Sequence, residues 1–188
     1  MKDMFFYPLA ALLIGGMIYF ALSLQVDNTP DNADIFVLEG EGLSQLFPSP
    51  GTTIKLSDTL VQSEKFVLLS AHMDRDLAPP SAGVFATLGS AYEASFGGSN
   101  IKITVRARQA AASPAAAMEL GYFTDGSGDS EWQKMPLTAE YENYSFNFSP
   151  LPPKGDGNDY VGIWPDAKGE GGAIEVKRVS VEKILRGN

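Results

Sequence analysis

The sequence predicts an all-β fold, an antiparallel β-sandwich or barrel, carried behind one apolar N-terminal helix. Three observations predict it. From Ile35 onward the chain breaks into short alternating runs separated by Gly, Pro, Asn and Asp. No long segment there follows a 3.6-residue period, so crossover helices and a parallel sheet are not expected. Ahead of Ile35 lies an uncharged apolar stretch of bilayer-spanning length.

That stretch, "FFYPLAALLIGGMIYFALSL" from Phe5 to Leu24, is long enough to cross a hydrocarbon core of roughly 30 Å as a helix. Tyr7 and Tyr19 suit the two interfaces, and Gly15 with Gly16 either offers a smooth face for packing against a neighbouring helix or is simply tolerated within the span. Lys2 precedes the span, whereas Asp27, Asp31 and Asp34 follow it and no basic residue appears before Lys55. This asymmetry places the N-terminus in the cytoplasm and exports the rest. A cleaved signal peptide is the competing reading, with Ala21 and Ser23 as a small-residue cleavage site. The long apolar segment and weakly charged start favour a retained anchor. The expected organisation is an anchor at 1–24, a linker at 25–34 and an extracytoplasmic sandwich at 35–188. The expected location is a bacterial-type inner membrane, with the domain periplasmic or extracellular. The linker "QVDNTPDNAD" reaches at most about 35 Å when extended, which keeps the domain near the bilayer.

The expected strands are "IFVLE", "TTIKL", "KFVLLSAHM", "GVFATL", "IKITVRARQA", "AMELGYFT", "WQKMP", "YENYSFNF", "YVGIWP" and "AIEVKRVSVE". Leu43–Phe47 is expected to make one helical turn. Alternation then assigns faces. Ile101, Ile103, Val105 and Ala107 share one side of their strand, and Lys102, Thr104, Arg106 and Arg108 share the other. Tyr144, Phe146 and Phe148 should point inward, opposite Asn143, Ser145 and Asn147. In the last strand Ile174 and Val176 have a parity that Val179 and Val181 do not, which predicts a bulge near Lys177 and Arg178.

Composition excludes several functions. The formal net charge of -9 disfavours nucleic acid, whose phosphates need clustered cations. With no cysteine there is no disulfide framework, thiol nucleophile or thiolate metal site. There is no G-x-S-x-G elbow, no G-x-x-x-x-G-K-[ST] loop, no H-E-x-x-H, and only one histidine, His72, to act as a general base. No catalytic activity and no cofactor are expected.

The segments "KITVRARQA", "AMELGYF", "WQKMPLTAEYENYSFNF" and "NDYVGIWPDAKGEGGAIEVKRVSVE" together resemble the galactose-binding-like jelly rolls, including carbohydrate-binding modules of the family 4/9 kind. The resemblance covers roughly residues 35 to 184 and is strongest after Ile101. It implies an antiparallel jelly-roll β-sandwich and, being carried by core and turn residues, says more about fold than activity. Such modules commonly carry Asp-Asp-Val in the closing strand near a structural calcium. Here Lys177-Arg178-Val179 stands in the corresponding place, which puts that site in doubt, with Glu39 and Glu41 as the remaining oxygen donors nearby.

Two further polar stretches bear on metal chemistry. His72, Asp74 and Asp76 alternate on an extended backbone, yet Arg75 between them and "APPS" beyond favour a loop exit over a metal site. "DGSGDSE" places Asp125, Asp129 and Glu131 at calcium-loop-like spacing but fails the EF-hand pattern at its sixth and twelfth positions, and reads as a turn. These three are weak metal candidates only.

Recognition is what remains. Trp132 and Tyr141 are the aromatics expected to be exposed, whereas Trp164, beside Pro165, is expected to cap the core beneath the following turn. Lys102, Arg106 and Arg108 concentrate positive charge on one strand face and suit a carboxylated glycan, a lipid headgroup or an acidic protein surface. The alternative for them is cross-strand pairing with Glu119 or Glu142. Two functions follow. The first is an accessory or docking subunit held by its helix against an integral membrane complex, favoured by the short tether. The second is a membrane-tethered module recognising a cell-surface or periplasmic glycan.

Overall fold

The computed structural model describes residues 33–79, 82–154 and 157–184. The expected anchor at 1–24, with Gly15 and Gly16, lies outside the described residues, as does the linker up to Asn32. Among the described residues no helix is long and apolar enough to cross a membrane. Residues Asn32–Asn188 form one compact unit.

The described residues form eleven strands: β1 (Ile35–Glu39), β2 (Phe47–Pro48), β3 (Thr52–Leu56), β4 (Val67–Ala71), β5 (Val84–Leu88), β6 (Ile101–Gln109), β7 (Ala117–Phe123), β8 (Gln133–Pro136), β9 (Glu142–Phe148), β10 (Asp159–Trp164) and β11 (Ala173–Lys183). All ten expected strands appear, with ends moved by up to two residues. A 3-10 turn at Gly40–Gln45 takes the place of the turn expected at Leu43–Phe47. The helix α1 (Ser90–Phe96) was not expected. It spans only two turns, too short for a periodic signal, and it forms because Phe96 and Tyr92 dock on the core, Tyr92 meeting Phe36 edge-on at 5.2 Å.

Two antiparallel sheets pack face to face. One has the order β3-β4-β11-β6-β9, with β1 also on β11; the other runs β2-β5-β10-β7-β8. β11 is long enough to carry two partners end to end on one edge: β4 pairs along Ala173–Val176 and β1 along Arg178–Glu182. The register with β6 shifts between Val176 and Arg178, so the expected bulge is present and Lys177 is the extra residue. The bulge lets Ile174 and Val176 before it, and Val179 and Val181 after it, all enter the core.

The alternation read from β6 and β9 holds. Ile101, Ile103, Val105 and Ala107 are fully buried, and Tyr144, Phe146 and Phe148 pack on the same core. From the facing sheet come Ala86, Leu88, Met118, Leu120, Val161 and Ile163. Each large apolar side chain buried this way contributes about 1.5–3 kcal/mol. With the inner faces spent on this core, any site on the domain must use an outer face or an edge.

Candidate functional site

Strand parity decides what the outer face of the five-stranded sheet displays. Because Val84, Ala86 and Leu88 turn inward, Phe85 and Thr87 turn out. Register then sets Tyr160 opposite Phe123, Gly162 opposite Gly121 and Trp164 opposite Glu119 on that same outer face. The glycine pair makes a trough. A Cβ on Gly121 would meet the Phe123 ring at 2.6 Å, and one on Gly162 would collide with the Ala82 carbonyl and with the same ring. Phe123 therefore lies down across the sheet instead of standing away from it.

A row of aromatic rings results. Phe47 and Phe85 are 6.2 Å apart, Phe85 and Tyr160 meet edge-on at 5.5 Å, and Phe123 and Trp132 are 4.9 Å apart. Trp132 is half-buried, and its ring is braced by Arg75, whose guanidinium carbon sits 5.9 Å from the ring centroid and whose Nε donates to Glu119 Oε2 at 2.5 Å. The rings Phe85, Phe123, Trp132 and Tyr160 line an open cleft of about 910 Å³, with Asp125, Asp129, Asn158 and Thr87 as polar groups along it. Apolar platforms with a few polar groups between them are the makeup of a small-molecule or oligomer cleft.

Trp164 departs from expectation. It lies on the outer face, away from the inter-sheet core, yet is only 1% exposed. Trp132 covers it edge-on at 6.3 Å, Gly83 lies against its ring, and its indole N–H donates to the Asp166 carbonyl at 3.0 Å. It supports the cleft floor and does not cap the core.

Beneath the cleft lies a buried carboxylate pair. The Tyr122 hydroxyl donates to Asp159 Oδ2 at 2.7 Å, and the Asp159 N–H donates to Glu93 Oε1 at 2.8 Å. Burial pushes both carboxyls above their ordinary range, and the charge of Asp125 adds to both shifts. Burial also raises the Tyr122 phenol, with help from Asp159. This bond network ties α1 to β10 and β7 and so holds the cleft floor.

The opposite outer face carries the basic residues. Arg108 Nε and Nη2 both reach Glu175 Oε2, at 2.9 and 2.8 Å, and the Tyr141 hydroxyl donates to the same oxygen at 2.7 Å. The partner of Arg108 is thus Glu175, neither Glu119 nor Glu142. Burial and the Glu175 carboxylate raise the Tyr141 phenol. Arg108 and Lys177 both lie over the Tyr141 ring, at 4.4 and 4.6 Å. Arg106 is exposed, and Lys102 stands opposite Glu182 of β11.

The residues singled out from sequence therefore fall into two groups. Trp132, Asp125 and Asp129 meet in the cleft; Arg106, Arg108 and Tyr141 gather on the other sheet. Asp125, Asp129 and Glu131 do not converge as metal ligands, and no cluster suited to a metal is found among the described residues. Asp129 instead accepts the Thr124 N–H at 2.9 Å. The His72–Asp76 stretch is a loop exit, with Asp74 Oδ1 accepting the Asp76 N–H. Glu39 pairs with Arg178 at 3.3 Å, and Glu41 with Lys65, so the acids near the closing strand are met by protein cations. Phe85 and Phe123 were missed, although their parity opposite core residues was a usable signal.

No family model and no curated protein matches the chain. Solved structures do. The CBM22-1 xylan-binding domain of Xyn10C from Paenibacillus barcinonensis superposes with a TM-score of 0.54 at 13% identity, over 82% of this chain and 97% of that one. The CBM22-1-CBM22-2 tandem of the same protein gives 0.52 at 12% identity, over 77% of this chain and 42% of that one. An arabinose-bound α-L-arabinofuranosidase, MgGH51, gives 0.51 at 12% identity, over 79% of this chain but 24% of that one. At such identities the likeness is one of fold: the domain has the β-sandwich architecture found in carbohydrate-binding modules.

Proposed function

We propose that the domain is a non-catalytic carbohydrate-binding module that holds a glycan along the outer face of the five-stranded sheet. The observation carrying this reading is the aromatic row Phe85, Tyr160, Phe123 and Trp132 in a cleft of about 910 Å³. Pyranose rings present apolar C–H faces that stack on such platforms, while Asp125, Asp129 and Asn158 are placed to accept or donate hydrogen bonds to hydroxyls. The two carboxylates favour uncharged chains over acidic ones in this cleft. The fold shared with a xylan-binding domain supports the reading.

The accessory-subunit reading drew on the segment ahead of Ala33 and gains no support from the described fold. If the anchor is retained, the module displays its cleft just outside the cytoplasmic membrane, and membrane fractionation tests that placement. The binding reading is tested by titrating soluble xylan, mixed-linkage glucan and cello-oligosaccharides while following tryptophan fluorescence. Saturable quenching is expected in the parent protein, with binding by calorimetry lost in Trp132→Ala. Absence of binding to every neutral glycan at millimolar concentration overturns it.

A further inference from the structure

On the six-stranded sheet, a recess of about 560 Å³ opens at the β11 bulge, lined by Glu39, Gly40, Gln62, Lys65, Arg106, Lys177 and Arg178. Four cations and one carboxylate thus line a pocket in a protein of net charge -9. The register makes this concentration sharper. Arg106 and Arg178 face each other directly across the β6–β11 pair, an arrangement that is destabilising unless an opposite charge joins it. Arg178 has Glu39 and Lys65 has Glu41. Among the described residues Arg106 makes no ion pair, and Lys177 is engaged only by the Tyr141 ring.

We propose that this recess is a second ligand site, separate from the cleft, that takes the carboxylate of an acidic saccharide. Arg106 receives the carboxylate through its planar donor fork, a geometry that matches carboxylate oxygens in pairs. Lys177, the bulged residue, swings from Tyr141 to the carboxylate. The ring contact it leaves is weaker than a charge-assisted hydrogen bond to a carboxylate, which favours the move. Its departure leaves Arg108 alone over the Tyr141 ring, which makes room at that ring for the sugar that bears the charge, and the ring favours a saccharide over an acidic peptide. An anionic bilayer fits less well, because the whole protein is acidic and Glu39 stands at the rim, while a single carboxylate in the recess meets mainly the local cations.

The test uses the full-length chain in mild detergent and trigalacturonate as the probe, with xylotriose, oligoglutamate and phosphatidylglycerol vesicles alongside. Calorimetry is expected to show trigalacturonate binding that weakens with salt. Loss of two charge-assisted contacts in the Arg106→Gln/Lys177→Gln variant should weaken it about tenfold or more. Trp132→Ala should leave it unchanged, and a matched melting midpoint confirms that the double variant is folded. If neutral glycans fail while this pattern holds, the cleft reading falls and the second site stands. Binding undiminished in the double variant, no binding at millimolar trigalacturonate, or preference for oligoglutamate or the vesicles overturns the proposal.

Discussion

Trp132 stands edge-on over Trp164 with ring centroids 6.3 Å apart, so the two tryptophans of the chain sit one above the other on the outer face of a single sheet. The upper ring is half-buried and the lower one sealed, which separates their roles. Trp164→Ala should cost about 3–5 kcal/mol in denaturant unfolding, the usual loss for a large aromatic removed from a packed site. Trp132→Ala should cost much less stability but abolish neutral-glycan binding in the cleft. Equal stability losses for both would contradict this division.

Gly162 makes room for the Ala82 carbonyl and the Phe123 ring. Its neighbour Ile163 bridges Gly83, so the 82–83 segment is fixed against the strand and has little freedom to retreat. Gly162→Ala should therefore destabilise by about 1–3 kcal/mol through overpacking. It should also tilt Phe123 and weaken glycan binding more than an exposed alanine change on the opposite sheet, such as Ser145→Ala, which calorimetry on both variants can check.

How much of this was legible in the sequence depends on the range of the contacts involved. β6 and β9 were readable because their inward and outward residues alternate within the strand itself. The bulge at Lys177 was readable for the same reason, as a change of parity between Val176 and Val179. Pairing partners were not, since Arg108 finds Glu175 through a register set 67 residues apart. Trp164 was misplaced because its cover comes from Gly83 and Trp132, segments brought over β10 only by the folded sheet. α1 escaped because two turns carry too few residues to show a period.

The Arg108–Glu175–Tyr141 group predicts a structural phenotype for a residue that sequence marks as a contact. Tyr141→Phe removes one hydrogen bond to a buried carboxylate that keeps Arg108, and should cost about 1 kcal/mol. Arg108→Ala should cost more, because Glu175 is then left buried with only a phenol. Urea midpoints of the two variants give the comparison, and a larger loss in Tyr141→Phe would reverse the assignment.

The cations at the closing strand bear on metal dependence. With Glu39 on Arg178 and Glu41 on Lys65, the nearby oxygen donors are already neutralised by the chain. Neither a chelator nor millimolar calcium should move the melting midpoint of the domain, since a ligand that stabilises must bind the folded state. A calcium-dependent rise would mean that these pairs open to admit an ion.

The carboxylates also set opposing trends with pH. Burial holds Glu93 and Asp159 above the ordinary carboxyl range, so their contribution to stability is full below the unfolded pKa and is lost as pH rises through the raised folded values. Glu41 behaves in the opposite sense. Its hydrogen bond with Lys65, then that with Gln62, holds its pKa low, and its contribution disappears as pH falls through that lowered value. Stability should therefore peak on the acid side of neutrality. Asp159→Asn keeps an acceptor for the Tyr122 hydroxyl while removing the buried charge, so it should flatten the decline toward neutral pH and leave the acid limb in place. Denaturant midpoints measured across a pH series test this, and a midpoint in the parent protein that climbs steadily from acid to neutral pH would show that ionisation of the buried pair carries no penalty.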